Sequence, residues 1–313
     1  VSKKIFYKIN CANLGDVLCS TPVIRKLSKL YDAKLNIIND TPEVLQNNPY
    51  INKIISSSEF NVNNVSGDYE FLESFVLPGK QNQFGIERKF NTFDIRQIHA
   101  MDLGFSLMPE EMHCEFFSSP YKNDFNIKSP YIVLHTAKNW PNRTWAKENW
   151  QKIINYLKKR NIFTVLIGKK TIEQESHVIN KDFYDFENIY GLNLIDKTNM
   201  SQCWNIINNS KLFISFDTGP LHLAGTTDVN ILHLGSAKDP RLVAPYRNAR
   251  QNYKYVYLKG SCNLYCTNNL KYSIKEWKTI NCVPPLINCL ENKRTFECQP
   301  SADQVIEYLD FAI

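Results

Sequence analysis

The stretch Ile214-Ser215-Phe216-Asp217-Thr218-Gly219-Pro220-Leu221-His222-Leu223-Ala224 decides the fold. Residues 212–216 are a short apolar run, a buried strand by pattern. Asp217, Thr218, Gly219 and Pro220 then supply a capping side chain, a permissive backbone and a proline suited to a first helical turn. The reading is strand, sharp turn, helix. Such a turn aims backbone N–H groups past the carboxyl end of the strand, where the helix dipole adds partial positive charge, so a phosphate is the expected guest. Read alone, the same four residues are also what any capped helix start requires. The surroundings decide.

Moving outward, the pattern repeats on both sides. Residues 130–135, 163–167 (closed by Gly168), 189–194 and 230–234 read as further strands, with helical periodicity over 150–157, 171–179 and 200–207. Nearer the start, 5–9, 34–38 and 51–55 read as strands and 17–30 as a helix carrying Thr21-Pro22 in an early turn; 42–46 starts a short helix. Residues 59–92 are polar with a weak pattern apart from 69–75 and read as loops over one face, either a binding region or plain surface decoration. Residues 93–107 are helix-like and contain His99. A polar stretch at 122–129 marks the domain boundary. The expected organisation is an α/β chain of two Rossmann-like domains facing a cleft, 1–128 and 129–313, the second carrying a cysteine-rich segment at 262–298 and a closing helix over 302–311 capped by Ser301.

Size and composition agree. The 313 residues suffice for two domains, and 43% hydrophobic with 22% charged residues is ordinary for a soluble globular protein. No run approaches the roughly 18 apolar residues of a membrane span, and Val1-Ser2-Lys3-Lys4-Ile5-Phe6-Tyr7-Lys8 does not read as a secretory signal, so a cytoplasmic location is expected. The net charge of +6 is spread among acids rather than blocked. That disfavours nucleic acid as a partner and leaves room for a polyanionic small molecule or peripheral contact with an anionic inner-membrane surface.

Two separated motifs carry a specific resemblance. Asn13-Leu14-Gly15-Asp16-Val17-Leu18 with Thr21-Pro22-Val23-Ile24-Arg25 resembles the N-terminal signature of glycosyltransferase family 9, the ADP-heptose:lipopolysaccharide heptosyltransferases, with Cys11 or Ala12 where the family has its first glycine. Asp217 to Ala224 resembles the second signature. Asn48-Pro49-Tyr50, the stretch from His135 through Arg143-Thr144-Trp145 to Trp150, and Leu234-Gly235 with Lys238-Asp239-Pro240-Arg241 and Pro245-Tyr246 are similar to further family segments in the right order. The resemblance implies the GT-B architecture, with the donor nucleotide on the C-terminal domain and the acceptor mainly on the N-terminal one.

It also implies a chemistry. Asp16, by its motif position, is the expected base for the acceptor hydroxyl, although a carboxylate there also suits a helix cap. Arg143 is the expected cation for the departing diphosphate, joined by the N–H groups of Thr218, Gly219 and Leu221 and by the Thr218 hydroxyl. Lys138 and Lys238 are weaker candidates, since a loop lysine is often merely solvated. Asp217 is given an orienting role. His222 is either a phosphate or sugar contact or a packing residue, and Glu173 or Glu175 either a ribose ligand or exposed helix surface. No catalytic metal is expected, because positive side chains and a helix dipole take its place in the GT-B scheme.

Four of the nine cysteines, Cys11, Cys19, Cys114 and Cys203, are scattered through core-like segments. The other five run Cys262-x3-Cys266-x15-Cys282-x6-Cys289-x8-Cys298. This is no standard zinc-finger spacing, yet four thiolates could close a tetrahedral structural site for zinc or iron, with Cys262, Cys266, Cys282 and Cys298 as ligands and Cys289 as the alternative fourth; free or disulfide-bonded cysteines are the other reading. Some family members carry a comparable iron-binding insertion. The functional expectation is an inverting transferase moving heptose from ADP-heptose to a hydroxyl of a surface glycan or a protein. The alternative is a catalytically inactive nucleotide-binding protein on the same scaffold, to which the altered first loop points. A nucleic-acid-binding zinc module lacks its basic stripe, and a nicotinamide-linked oxidoreductase lacks its glycine fingerprint.

Overall fold

The computed structural model describes residues 3–11, 13–76, 92–120, 124–136, 141–169, 184–247, 254–262, 264–267, 281–283, 286–291 and 297–313. The chain divides into two compact units, Val1–Pro120 with Arg241–Asn252, and Tyr121–Pro240 with Tyr253–Ile313. The division falls a little before the boundary drawn from sequence at 128/129, and the segment Arg241–Asn252 returns to the first unit.

In the first unit β1 (Lys4–Ile9) leads into α1 (Leu14–Cys19) and α2 (Thr21–Leu30); β2 (Leu35–Ile38), α3 (Pro42–Leu45), β3 (Ile51–Ile55), β4 (Tyr69–Ser74) and α4 (Ile95–Met101) follow. The four strands are parallel in the order β3-β2-β1-β4. Strand order reverses between β1 and β4, so their carboxyl ends flank the switch point at which open α/β sheets bind ligands. Ile5, Tyr7 and Ile9 alternate along β1 and are buried, as are Val17 and Leu18 of α1, Val23, Ile24 and Leu27 of α2, and Ile98 of α4. Full burial of each aliphatic side chain contributes roughly 1.5–3 kcal/mol.

Two helices differ from their expected extents for local reasons. The periodic run 17–30 starts earlier, at Leu14, and breaks at Ser20. Pro22 has no N–H to offer the Leu18 carbonyl, and the Thr21 hydroxyl donates to that carbonyl instead at 2.7 Å; the Ser20 N–H closes a tighter turn on Val17 O at 3.1 Å. The helix-like stretch 93–107 shrinks to α4. Gly104 at φ +81° turns the chain there, and the Phe105 N–H reaches back to Ala100 O at 3.2 Å.

The second unit contains β5 (Tyr131–His135), a single 3-10 turn (Pro141–Arg143), α5 (Lys147–Lys159), β6 (Phe163–Ile167), β7 (Gly191–Asn193), α6 (Met200–Asn208), β8 (Leu212–Ser215), α7 (Gly219–Ala224), β9 (Asn230–Leu234), β10 (Tyr255–Leu258), a small hairpin of β11 (Asn281–Val283) and β12 (Leu286–Asn288), and α8 (Ala302–Ala312). Its six-stranded parallel sheet has the order β10-β9-β8-β5-β6-β7, reversing between β8 and β5. Every residue of β5, β6 and β8 is buried, the continuous apolar pattern of a parallel strand covered on both faces. Gly191 lets β7 approach β6, since a Cβ there would sit 1.7 Å from Thr164 O.

Trp145, Trp150 and Phe216 pack edge-to-face, with ring centroids 4.9 Å apart for the two tryptophans, directly beneath the turn after β8. Trp145 Nε1–H donates to Pro300 O at 3.1 Å, which ties the entry of α8 to this cluster. Ser301 caps α8 in a reciprocal box with Gln304, as its sequence suggested. The expected helix over 171–179 lies outside the described residues.

Candidate active site

The turn after β8 and the 3-10 turn after β5 lie at the carboxyl ends of the two strands that flank the second unit's switch point. Asp217 is buried there. Arg143 Nη1–H donates to the Asp217 carbonyl at 2.6 Å and to its Oδ2 at 3.2 Å, Lys238 Nζ lies 3.8 Å from the same Oδ2, and His222 Nε2 lies 3.6 Å from Oδ1. Burial opposes ionisation of Asp217, but the charges of Lys238 and Arg143, with His222, overcome it and hold the carboxyl well below the usual carboxylate range. Two basic side chains thus share one carboxylate at a strand end. The site is net positive and suits an anionic guest.

Thr218 is the N-cap of α7, with extended backbone (φ −148°, ψ 167°) and no side-chain cap. Its hydroxyl is turned inward, 3.1 Å from His135 Nδ1 and 3.0 Å from Ser215 Oγ. The Ser215 hydroxyl donates to Phe216 O at 2.8 Å, so the Thr218 hydroxyl is spent inside the turn and does not serve as the expected phosphate donor. The Leu221 N–H is also withdrawn from that role, because it closes the first helical turn on Thr218 O at 3.0 Å. Among the expected donors, the N–H groups of Thr218 and Gly219 make no backbone hydrogen bond to the described residues.

Burial alone pushes His135 down to about 4 and is the main cause holding His233 at about 4, so both rings are neutral near pH 7. His233 Nδ1 pairs with the Tyr255 hydroxyl at 2.7 Å.

Asp16 lies on the first unit, within α1 rather than in the loop before it. Asn13, not Asp16, is the N-cap, and Asn13 Nδ2–H donates to Asp16 Oδ2 at 3.3 Å. The carboxylate is partly exposed. The chain entering α1 is held from the neighbouring strand ends. Asn39, buried just past β2, donates to Ile9 O at 2.9 Å and Cys11 O at 2.7 Å, and the Asn10 N–H donates to Ser74 O at 3.0 Å. Beneath it, α4 places His99 against the Asp16 carbonyl.

Lys138, Glu173 and Glu175 lie outside the described residues. The Cys282 side chain does too, though its backbone is in β11. Cys262, Cys266, Cys289 and Cys298 form no disulfide. Burial pushes the Cys266 thiol up to about 12, and Cys289, Cys262, Cys298 and Glu291 add to the shift. Among the described residues no three His, Cys, Asp or Glu side chains are placed to hold an ion.

Sequence reasoning gave no role to His135, Asn39 or Ser74. His135 and Ser74 end their strands and Asn39 directly follows β2, and that position at the carboxyl edge is the signal that could have found them.

Two parallel α/β units, each with a ligand-type switch point, and a cation-bearing strand end suited to a diphosphate define a GT-B glycosyltransferase. The chain belongs to glycosyltransferase family 9 (heptosyltransferase), whose sequence profile it matches over residues 80–271. It is 22% identical over 311 residues to lipopolysaccharide heptosyltransferase 3 of Escherichia coli, an alignment covering 82% of this chain and 90% of the relative. Among solved structures, the iron-containing dodecameric glycosyltransferase TibC of enterotoxigenic E. coli matches with a TM-score of 0.72 at 15% identity, over 100% of this chain and 80% of that one. TibC in complex with ADP-D-β-D-heptose matches at 0.69, also at 15% identity, over 99% and 76%. The E. coli ADP-heptose lps heptosyltransferase II matches at 0.65 and 14% identity, over 99% and 98%. The shared fold is the GT-B architecture, and the chain is a glycosyltransferase.

Proposed function

We propose that this enzyme transfers heptose from ADP-heptose to a sugar hydroxyl of a lipopolysaccharide core, with inversion at the anomeric carbon. The observation that carries the reading is the pairing of Arg143 and Lys238 on Asp217 at the switch point, a fixed positive site for a departing nucleoside diphosphate. The Thr218 and Gly219 N–H groups add to it. Asp16 takes the proton from the acceptor hydroxyl, whose oxygen displaces the diphosphate in a single step; the anomeric C–O bond breaks as the new glycosidic bond forms. Charge stabilisation by side chains leaves no catalytic role for a metal, and turnover is expected to survive chelators. The donor is supported by the TibC complex and the acceptor by the E. coli relative. No helix among the described residues is long and apolar enough to cross a membrane. With a lipopolysaccharide acceptor, the place of work is the cytoplasmic face of the inner membrane, reached peripherally.

A second reading has one observation in its favour. The likeness to iron-containing TibC favours a structural iron or zinc in this chain. Metal analysis of the purified protein tests it, and product analysis with lipopolysaccharide and with protein acceptors separates the two acceptor classes.

The first experiment is calorimetric titration with ADP, UDP and GDP, for the natural chain and for Arg143→Ala. Selective ADP binding weakened by the substitution supports the proposal. Selective UDP or GDP binding replaces the donor, and no nucleotide binding removes the reading.

A further inference from the structure

Three buried polar side chains of the first unit form one connected chain that ends on the residue assigned as base. The Tyr7 hydroxyl lies 2.7 Å from Ser74 Oγ and 3.4 Å from His99 Nδ1; Ser74 Oγ lies 2.8 Å from His99 Nδ1; His99 Nε2 lies 3.0 Å from the carbonyl oxygen of Asp16. Tyr7, Ser74 and His99 have no exposed surface. They come from β1, the end of β4 and α4, and so bracket the switch point of the four-stranded sheet.

The donors and acceptors fix the direction. A carbonyl oxygen only accepts, so His99 Nε2 carries a proton. In the neutral ring Nδ1 then accepts from the Ser74 hydroxyl, and Ser74 Oγ accepts from the Tyr7 hydroxyl. Every hydroxyl proton is used once, and only one imidazole tautomer satisfies the whole chain. The carbonyl at its end does not receive the Ser20 N–H that a regular helix would bring to it. In a regular α-helix the Ser20 N–H would bond Asp16 O, four residues back, but it bonds Val17 O at 3.1 Å because the helix tightens before Pro22. His99 Nε2 sits at that carbonyl instead, at 3.0 Å.

We infer that His99 is a positioning residue for Asp16. Through the Asp16 carbonyl it fixes the backbone from which the carboxylate projects, and Tyr7 and Ser74 hold His99 in the one tautomer that can do so. The inference rests on the assignment of Asp16 as base. Uniformly apolar residues would fill the same space without desolvating polar groups, and a satisfied polar chain instead specifies one geometry.

The test measures ADP release from ADP-heptose with lipopolysaccharide truncated to its inner core, ADP affinity, and thermal unfolding. It compares His99→Ala, His99→Gln, Ser74→Ala and Asp16→Asn. Gln can place an N–H where Nε2–H stood. The expected result is a fall in kcat of about 10- to 100-fold for His99→Ala, with KM for the donor and ADP affinity unchanged, and recovery of most of that loss in His99→Gln. Ser74→Ala should give an intermediate loss, and it serves if His99→Ala does not fold. If Asp16→Asn abolishes turnover while His99→Ala, or Ser74→Ala in its place, keeps kcat within about twofold of the natural enzyme, the positioning role is wrong and the base stands. A kcat loss that tracks thermal destabilisation and is not relieved in His99→Gln also overturns it. If Asp16→Asn retains full turnover, the base assignment itself fails.

Discussion

Arg143 Nη1–H is bonded to Asp217 twice, to its carbonyl at 2.6 Å and to its carboxylate at 3.2 Å, across 74 residues of sequence. One side chain thereby fixes both the backbone of the turn after β8 and the carboxylate at its centre. With Lys238 on the same oxygen, Asp217 acts as the holder of two cations, and a base role is closed to a carboxylate so committed.

Removing the holder should therefore cost both stability and donor binding. Asp217→Ala leaves Arg143 and Lys238 facing each other with their shared counter-charge gone. Breaking such a buried pair costs about 3–5 kcal/mol. Asp217→Asn, which keeps an acceptor oxygen, should lose less. Denaturant unfolding and ADP titration of the two variants check the order. Equal stability of Asp217→Ala and the natural protein would show that the pair is not holding the turn.

The two cations should not be equivalent. Arg143 is fixed by two bonds to Asp217, whereas Lys238 sits at 3.8 Å on a flexible stem. Arg143→Ala should lower kcat by about 10²- to 10³-fold, the range for removal of one fixed transition-state donor. Lys238→Ala should fall short of that and act more on donor KM. Steady-state kinetics of both variants decide, and a larger kcat loss for Lys238→Ala would reverse the roles.

Much of this was legible beforehand, for a physical reason. The strand–turn–helix at 212–224, the two βα series and the motif around Asp16 are local patterns, set by periodicity and by what proline, glycine and capping residues do to the backbone. What was not legible is pairing across distance. Nothing near residue 143 says that its guanidinium meets residue 217, and nothing near residue 99 says that its ring reaches residue 16. Local competition also escaped the pattern. The apolar spacing of 17–30 is helical throughout, but Pro22 removes one donor, and the hydroxyls of Ser20 and Thr21 take the carbonyls of Val17 and Leu18. The inward turn of the Thr218 hydroxyl has the same kind of cause, since His135 arrives from a strand 83 residues away.

Stability should fall on mild acidification. His135 and His233 titrate near 4 in the folded protein, mainly through burial, against 6.5 in an unconstrained chain. Between those values the unfolded state binds protons that the folded state refuses, so stability rises with pH there. The contribution is complete above about 6.5 and is lost as pH falls toward 4, by at most roughly 3 kcal/mol for each ring. Asp217, held low in the folded state, adds a further loss only below its ordinary value of 3.8. Urea midpoints at several values from pH 7.5 to pH 4.5 should decline, and His135→Gln should flatten the slope. A flat profile would contradict the burial of both rings in neutral form.

The loop that delivers Asp16 should depend on Asn39. Its amide donates to Ile9 O and Cys11 O, and its Oδ1 accepts from the Thr41 N–H at 2.9 Å, so a single buried side chain satisfies three backbone groups and joins the end of β2 to the loop after β1. Asn39→Leu fills similar space and leaves two carbonyls and one N–H without that partner. Buried backbone groups left unmade cost about 1–3 kcal/mol each, less where water can enter. Asn39→Asp should be worse for the loop, because it sets a carboxylate against two carbonyl oxygens while keeping the Thr41 bond. Both variants should lower kcat through the Asp16 loop and leave ADP affinity intact, because the cation site lies on the other unit. Stopped assays of ADP release beside ADP calorimetry test this directly. A variant that loses ADP binding and turnover together would mean that the first unit's loop contributes to the nucleotide site, and that the division of labour between the two units is wrong.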